Sequence, residues 1–446
     1  MWRAASVLVL IITITTSCER THPNYCATAT HHNCLELDAD VSCHADQDCS
    51  GATPVCDLQG SRVCVQCTTS KPFACMGVTP MCGADNACHG CTAHAQCGSS
   101  VCLPDGSCAL ESSIAYVTPS GTDGACTKSS PCKTLDAALK QSRAIVKMAP
   151  GLVKDTKTTT IDGQTVTIVA DAGAQLDRDG DGPVLAVTGA GAVVQIYDLE
   201  ITGASGTAGA DGIQLTANGG TPSLSLTRVT VDGNQGNGIA AAGGMLTIGQ
   251  SSITSNQAAG VTISAGTLSL SRSVISANQG GGIVMTGSGT QFTINSNFIY
   301  RNGNNLTASV GGLSLIPSSN SHFEFNTIVD NQAKVAGTSA GGVFCDEPGF
   351  AAAHNLIFRN AGGATGNVQT VGVCTYGDSL NMPGASNVDN SPGFAHPNAL
   401  PFDYHLTATS PTSIVDAAGP CTSVDFDGDT RPVGNGCDLG ADERTP

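Results

Sequence analysis

The 446-residue chain predicts an all-β, right-handed parallel β-helix solenoid preceded by a small disulfide-rich module. Three observations predict it. Asparagines recur at Asn234, Asn256, Asn278, Asn302, Asn331 and Asn360, in steps of 22, 22, 24, 29 and 29 residues. Three positions before each stands a β-branched aliphatic: Val231, Ile253, Ile275, Ile299, Ile328 and Ile357. Upstream, Cys43, Cys67 and Cys91 open three four-cysteine units with a 24-residue period. The same residue type returning once per coil is the mark of a solenoid.

At the start, Arg3 precedes an apolar run from Ala4 to Ile14, of signal-peptide length and short for a bilayer span. Residues 1–17 are read as a signal peptide, followed by a tether over 18–42. Thr15, Thr16 and Ser17 leading to Cys18 resemble a bacterial lipoprotein signal, although Thr15 stands where such signals usually carry Leu. That resemblance implies lipidation of Cys18 and a membrane contact made only by the lipid. Twenty-one cysteines would be a hazard in a reducing cytosol and imply export. The expected location is the outer membrane or cell surface, otherwise the periplasm or the medium.

Composition narrows the partners. The net charge is −17, with only 12% charged and 4% aromatic residues. No basic stripe is available to neutralise phosphates, so nucleic acid is excluded as an expected partner. A polysaccharide or cell-surface ligand fits better. Oligomeric state is not legible.

The units Cys43/49/56/64, Cys67/75/82/88 and Cys91/97/102/108 fill residues 43–108 with few large apolar side chains. Disulfides must supply the stability that a core cannot. Four cysteines per unit allow three pairings each. Cys64-Val-Gln-Cys67 and Cys88-His-Gly-Cys91 match zinc-ribbon spacing, but the 24-residue period explains them as the end of one unit and the start of the next.

Residues 114–446 form the solenoid and its ends. Ten and eight positions before the asparagine stand Leu224/Leu226, Leu246/Ile248, Leu268/Leu270 and Phe292/Ile294, each pair flanking a polar residue. This is strand alternation with one face buried. The aliphatic at minus three belongs to a second strand. Ile239/Ala241, Val261/Ile263, Ile283/Met285 and Leu313/Leu315 mark a third. Three strands per coil with no helix between them predict a parallel β-helix, right-handed by the crossover rule. The asparagines sit at a corner, where their amides can stack coil on coil as a structural ladder.

Two stretches carry a family resemblance. Ala115-Tyr116-Val117-Thr118-Pro119-Ser120-Gly121-Thr122-Asp123-Gly124, followed by Pro131-Cys132-Lys133-Thr134-Leu135-Asp136-Ala137-Ala138, resembles the opening of pectate-lyase-like β-helix proteins. In that family the second stretch forms a short capping helix. Asp425-Phe426-Asp427-Gly428, Arg431-Pro432 and Asp438-Leu439-Gly440-Ala441 resemble the terminal segment of bacterial β-helix surface proteins. Cys126/Cys132 and Cys421/Cys437 can each close a local loop near a solenoid end. Cys345 and Cys374, both fourteen residues past an asparagine, are expected side by side on neighbouring coils.

Function is sought where coils differ. Between the asparagine and the glycine opening the third strand, early coils have three residues, whereas later ones have long loops over 303–311, 332–341 and 361–371. These are expected to build a lip beside a groove. Arg301, Asp330 and Arg359 precede successive asparagines. They could bind an acidic sugar or move a proton, but opposite charges on neighbouring coils also make a plain ion-pair ladder. His354, Glu324, Asp346 and Glu347 are weaker candidates. Asp177, Asp179 and Asp181, with Gly182 at the sixth position, resemble the start of a calcium loop, but Thr188 replaces the closing Glu. Asp425, Asp427 and Asp429 form a second acidic turn.

The solenoid lacks the Asn-Thr-Asp, Asp-Asp, His-Gly and Arg-Ile-Lys set of polygalacturonases, and no calcium-carboxylate cluster of pectate-lyase type is recognisable. The leading expectation is a rigid, non-catalytic scaffold that binds glycan, matrix or a partner surface. A polysaccharide lyase or glycoside hydrolase working beside the long loops is the alternative, and a purely structural envelope protein the third reading.

Overall fold

A computed structural model describes residues 43–444 except 179, 207–208, 337–338, 364–368, 378, 382–391, 420 and 422. Cys18, the signal peptide and the tether therefore lie outside the described residues. The chain divides into two compact units, Met1–Ala109 and Leu110–Pro446.

In the first unit each four-cysteine repeat pairs its first cysteine with its third and its second with its fourth. The bonds are Cys43–Cys56 and Cys49–Cys64, Cys67–Cys82 and Cys75–Cys88, then Cys91–Cys102 and Cys97–Cys108. Two repeats carry a minimal hairpin, Val55–Cys56 with Cys64–Val65 and Met81–Cys82 with Cys88–His89. The cysteines of the zinc-like spacing are all oxidised, so they offer no thiolate to a metal.

The second unit is a parallel β-solenoid. Its second strands stack into a ten-stranded sheet that includes Thr230–Asp232, Ser252–Thr254, Val274–Ser276, Phe298–Tyr300, Thr327–Val329 and Leu356–Phe358. Val231, Ile253, Ile275, Ile299, Ile328 and Ile357 stand in register and are fully buried. The third strand of one coil and the first of the next join in a larger sheet, continuously within Ile239–Gly249 and Ala259–Ser271. Each buried aliphatic contributes roughly 1.5–3 kcal/mol, so the inward columns supply most of the cohesion.

The asparagine column forms an unbroken ladder. Nδ2 of each donates to Oδ1 of the next, at 2.9–3.0 Å, from Asn234 to Asn360. The same Oδ1 accepts the backbone N–H of the preceding asparagine. Gly238 and Gly260, which open third strands, are dictated by this ladder: a Cβ there would come within 2.7 Å of an asparagine Nδ2.

A second ladder at the opposite corner runs through Ser251, Ser273, Asn297, Asn326 and Asn355. Sequence reading missed it because serine begins the column. Its signal was the 29-residue step from Asn297 to Asn326 to Asn355.

Helix Leu135–Leu139 packs Leu135, Ala138 and Leu139 into the solenoid core. Thr134 caps it, and Asp155 accepts the N–H groups of Leu135 and Asp136. The Cys126–Cys132 disulfide lies just upstream.

The chain's end runs across an outward face. Phe394, Tyr404, Leu406, Ile414, Leu439 and Ala441 pack on Phe298, Phe325, Val329, Leu356 and Phe358, forming a second apolar core outside the coils. Outward positions in the earlier coils are polar (Thr230/Asp232 and Ser252/Thr254), but late ones turn apolar (Phe298/Tyr300 and Leu356/Phe358).

Candidate functional site

The terminal segment is locked by the acidic motif near its end. Arg431 donates to Glu443 and to the carbonyls of Asp438 and Gly440, with both side chains of the ion pair wholly buried. Its guanidinium stacks 4.6 Å over Phe325. Asp425 accepts the N–H groups of Gly428, Asp429 and Glu443. Asp438 accepts those of Asp416 and Arg444. The Asp-x-Asp-Gly and Arg-Pro signature is thus a structural knot that holds the segment against the coils. Cys421–Cys437 closes a loop within it.

Between the coils and this segment lies a cleft of about 420 Å³, lined by Arg301, Gly303, Asp330, Gln332, Arg359 and Asn398 among others. Three of the expected residues converge here. Arg301, Asp330 and Arg359 precede successive ladder asparagines and share a left-handed backbone, with φ of 56°, 56° and 53°. The buried amide that follows each holds this corner. Arg228 and Gln250 adopt the same conformation at the other corner, so the strain belongs to the architecture and marks no site.

Asp330 is heavily engaged. Arg359 donates to both its oxygens, through Nε at 2.8 Å and Nη2 at 2.6 Å, and the Tyr404 hydroxyl donates at 2.8 Å. Burial and the neighbouring Asp330 charge push the Tyr404 hydroxyl well above the usual phenol range. Arg359 also donates Nη1 to Asn398. Arg301 lies 3.9 Å over the Phe402 ring and is exposed toward solvent. The cleft thus holds two guanidinium groups and one carboxylate, a locally cationic spot on a chain of net charge −17.

His354 is elsewhere. It stacks on Phe325 at 4.6 Å, at the corner of the second ladder. Glu324 ends strand His322–Glu324, and Asp346 and Glu347 are exposed in the turn after Cys345. None of them lines the cleft.

The long loops also differ from expectation. Gly303 pairs with Gln332 and Gln332 with Ala361, so the loop starts continue the coil stacking and form one cleft wall. The opposite wall is the terminal segment at Pro397 and Asn398. The third loop closes at Gln369 instead of residue 371. The Gln369 side chain terminates the ladder, accepting Asn360 Nδ2–H at 2.9 Å and donating to the Asn360 carbonyl at 2.9 Å. The next strand therefore starts at Thr370, and Cys345 stands opposite Gly372. The Cys345–Cys374 disulfide spans that two-residue offset, with Cα atoms 5.7 Å apart.

Of the expected calcium ligands, Asp177 lies within strand Ala174–Arg178, 3.4 Å from the Lys154 ammonium. Asp181 bridges to Ser205. Asp179 lies outside the described residues.

Comparison with known proteins agrees with this geometry. The family described as "Right handed beta helix region" matches residues 211–382. The chain is similar to the crystal structure of pectate lyase Pel9A at 15% identity and a TM-score of 0.50, covering 74% of this chain and 96% of that one. The fold is a right-handed parallel β-helix. Among curated proteins none matches. At this identity the likeness carries the fold alone. Nine disulfides among the described residues mark an exported protein.

Proposed function

We propose that the protein is a surface-displayed, non-catalytic scaffold, anchored through a lipid at Cys18, whose cleft beside Arg301 binds an acidic glycan. The observation that supports this most is the state of Asp330. It is the cleft's sole carboxylate among the lining residues, and it accepts two N–H groups and a phenol. A carboxylate held by three donors is committed to fixing the cleft wall, and glycoside hydrolysis needs a pair of carboxylates. Exposed guanidinium and amide groups remain, which suit carboxylate or sulfate groups on a sugar.

The test incubates the purified chain with uronate-rich, sulfated and neutral polysaccharides, scoring both retention and turnover. Retention of acidic polymers that is lost in Arg301→Ala, with no new reducing ends and no absorbance near 235 nm, is the expected result. Unsaturated products that depend on Arg301 would make the protein a lyase. Absence of binding to every polymer would leave a purely structural envelope role.

A further inference from the structure

Away from the cleft, His405, Asp427 and Asp442 converge from three separate stretches of the terminal segment. His405 lies on strand Asp403–Leu406, with its ring packed edge-on against Phe298 and Phe426. Nδ1–H donates to Asp403 Oδ1 at 2.5 Å, and the same oxygen accepts the His405 backbone N–H. This fixes which ring nitrogen faces the other two carboxylates. Nε2 is closed off from solvent and makes no aligned hydrogen bond, although Asp427 Oδ2 stands 3.2 Å away. One ligand atom from each of His405, Asp427 and Asp442 lies within 4.8 Å of the others.

The arrangement is held independently at every point. Asp442 is buried, with Oδ2 accepting the Leu406 N–H at 2.6 Å. Asp427 sits in the turn that Asp425 closes. Arg272 of the solenoid donates to the carbonyls of Phe426 and Asp427, at 3.0 and 2.7 Å. Without a proton or an ion on Nε2, a ring lone pair would face two carboxylates. An imidazole oriented by an outer carboxylate, with two further oxygens in reach, is the donor set of zinc-type sites. One imidazole among the ligands favours a borderline cation over calcium.

We propose that His405 Nε2, Asp427 and Asp442 form a three-ligand site for a divalent cation of the zinc type, with Asp403 as its positioning residue. The proposal does not depend on what the cleft binds. It is tested by calorimetric titration of the full chain with Zn²⁺, alongside His405→Gln, Asp427→Asn and Asp403→Asn. The Asp427 side chain is half exposed, so its variant leaves the packing intact, and near-UV circular dichroism checks the fold of each. One Zn²⁺ equivalent is expected in the parent and absent in His405→Gln and Asp427→Asn. In Asp403→Asn its affinity should fall about 10–100-fold. No Zn²⁺ uptake by the parent overturns the assignment. So does uptake that a folded Asp427→Asn or His405→Gln retains unchanged.

Discussion

The coils over 223–285 and those over 298–360 share one interior and have different exteriors. Ile253 in the first group and Ile328 in the second are equally buried, at matching places in the same sheet. Outside, Ser252 and Thr254 are partly exposed to solvent, whereas Thr327 and Val329 lie under the terminal segment. The corner after the asparagine is three residues in the first group and a long loop in the second. The inward columns therefore make the fold, and departures on the outward face show where another element packs. The cleft and the His405 cluster both lie where that element meets the coils.

The largest effect is expected where the covered exterior rests on a buried charge. Arg431→Ala strands Glu443 and should cost about 3–5 kcal/mol in chemical denaturation. Arg228→Ala breaks the half-exposed pair with Asp198 in the open coils and should cost no more than about 1 kcal/mol. Equal costs would erase the distinction between the two exteriors.

The interiors should behave alike. Asn256→Ala and Asn326→Ala, one in each ladder, each strand a backbone and a side-chain N–H of the previous coil. Each should lose about 2–4 kcal/mol. A difference much larger than the spread of replicate melts would break the idea of a common frame.

Smaller effects sharpen the reading of the cleft. Asp330→Asn leaves Arg359 and Tyr404 without their acceptor charge and should lose about 1–3 kcal/mol. If Asp330 is structural, polysaccharide retention by the folded variant persists. Arg301→Ala should change stability by only about 0.5–1 kcal/mol, the worth of an exposed cation–π contact. Its larger effect should appear in retention of acidic polymers.

Much of this was legible in the chain. The asparagine step and the aliphatic three residues earlier give coil length, strand number and inward register, because both recur locally with a fixed period. The outward switch from Ser252/Thr254 to Phe298/Tyr300 was legible too, but it gains meaning only with a partner to cover it. The third loop was misread because Gly372 looks like the glycine that opens earlier strands. Gln369 takes that place through a side-chain bond that no spacing reveals. His354 stood as a weaker candidate after Arg301, Asp330 and Arg359, yet it belongs to the other corner, beside a ladder whose first members are serines.

By itself, the sequence determined the solenoid, its three-strand coil and the disulfide-rich module, since each rests on short-range repetition of residue types. Tertiary structure alone decided what covers the late coils, where the cleft opens, and that His405 meets Asp427 and Asp442. Among the bonds that fix the cover, Thr327 with Ala441 joins residues 114 positions apart and Arg272 with Asp427 residues 155 apart. A periodic pattern states which face of a strand is buried in its own coil. It carries no record of which distant segment returns to lie on the other face.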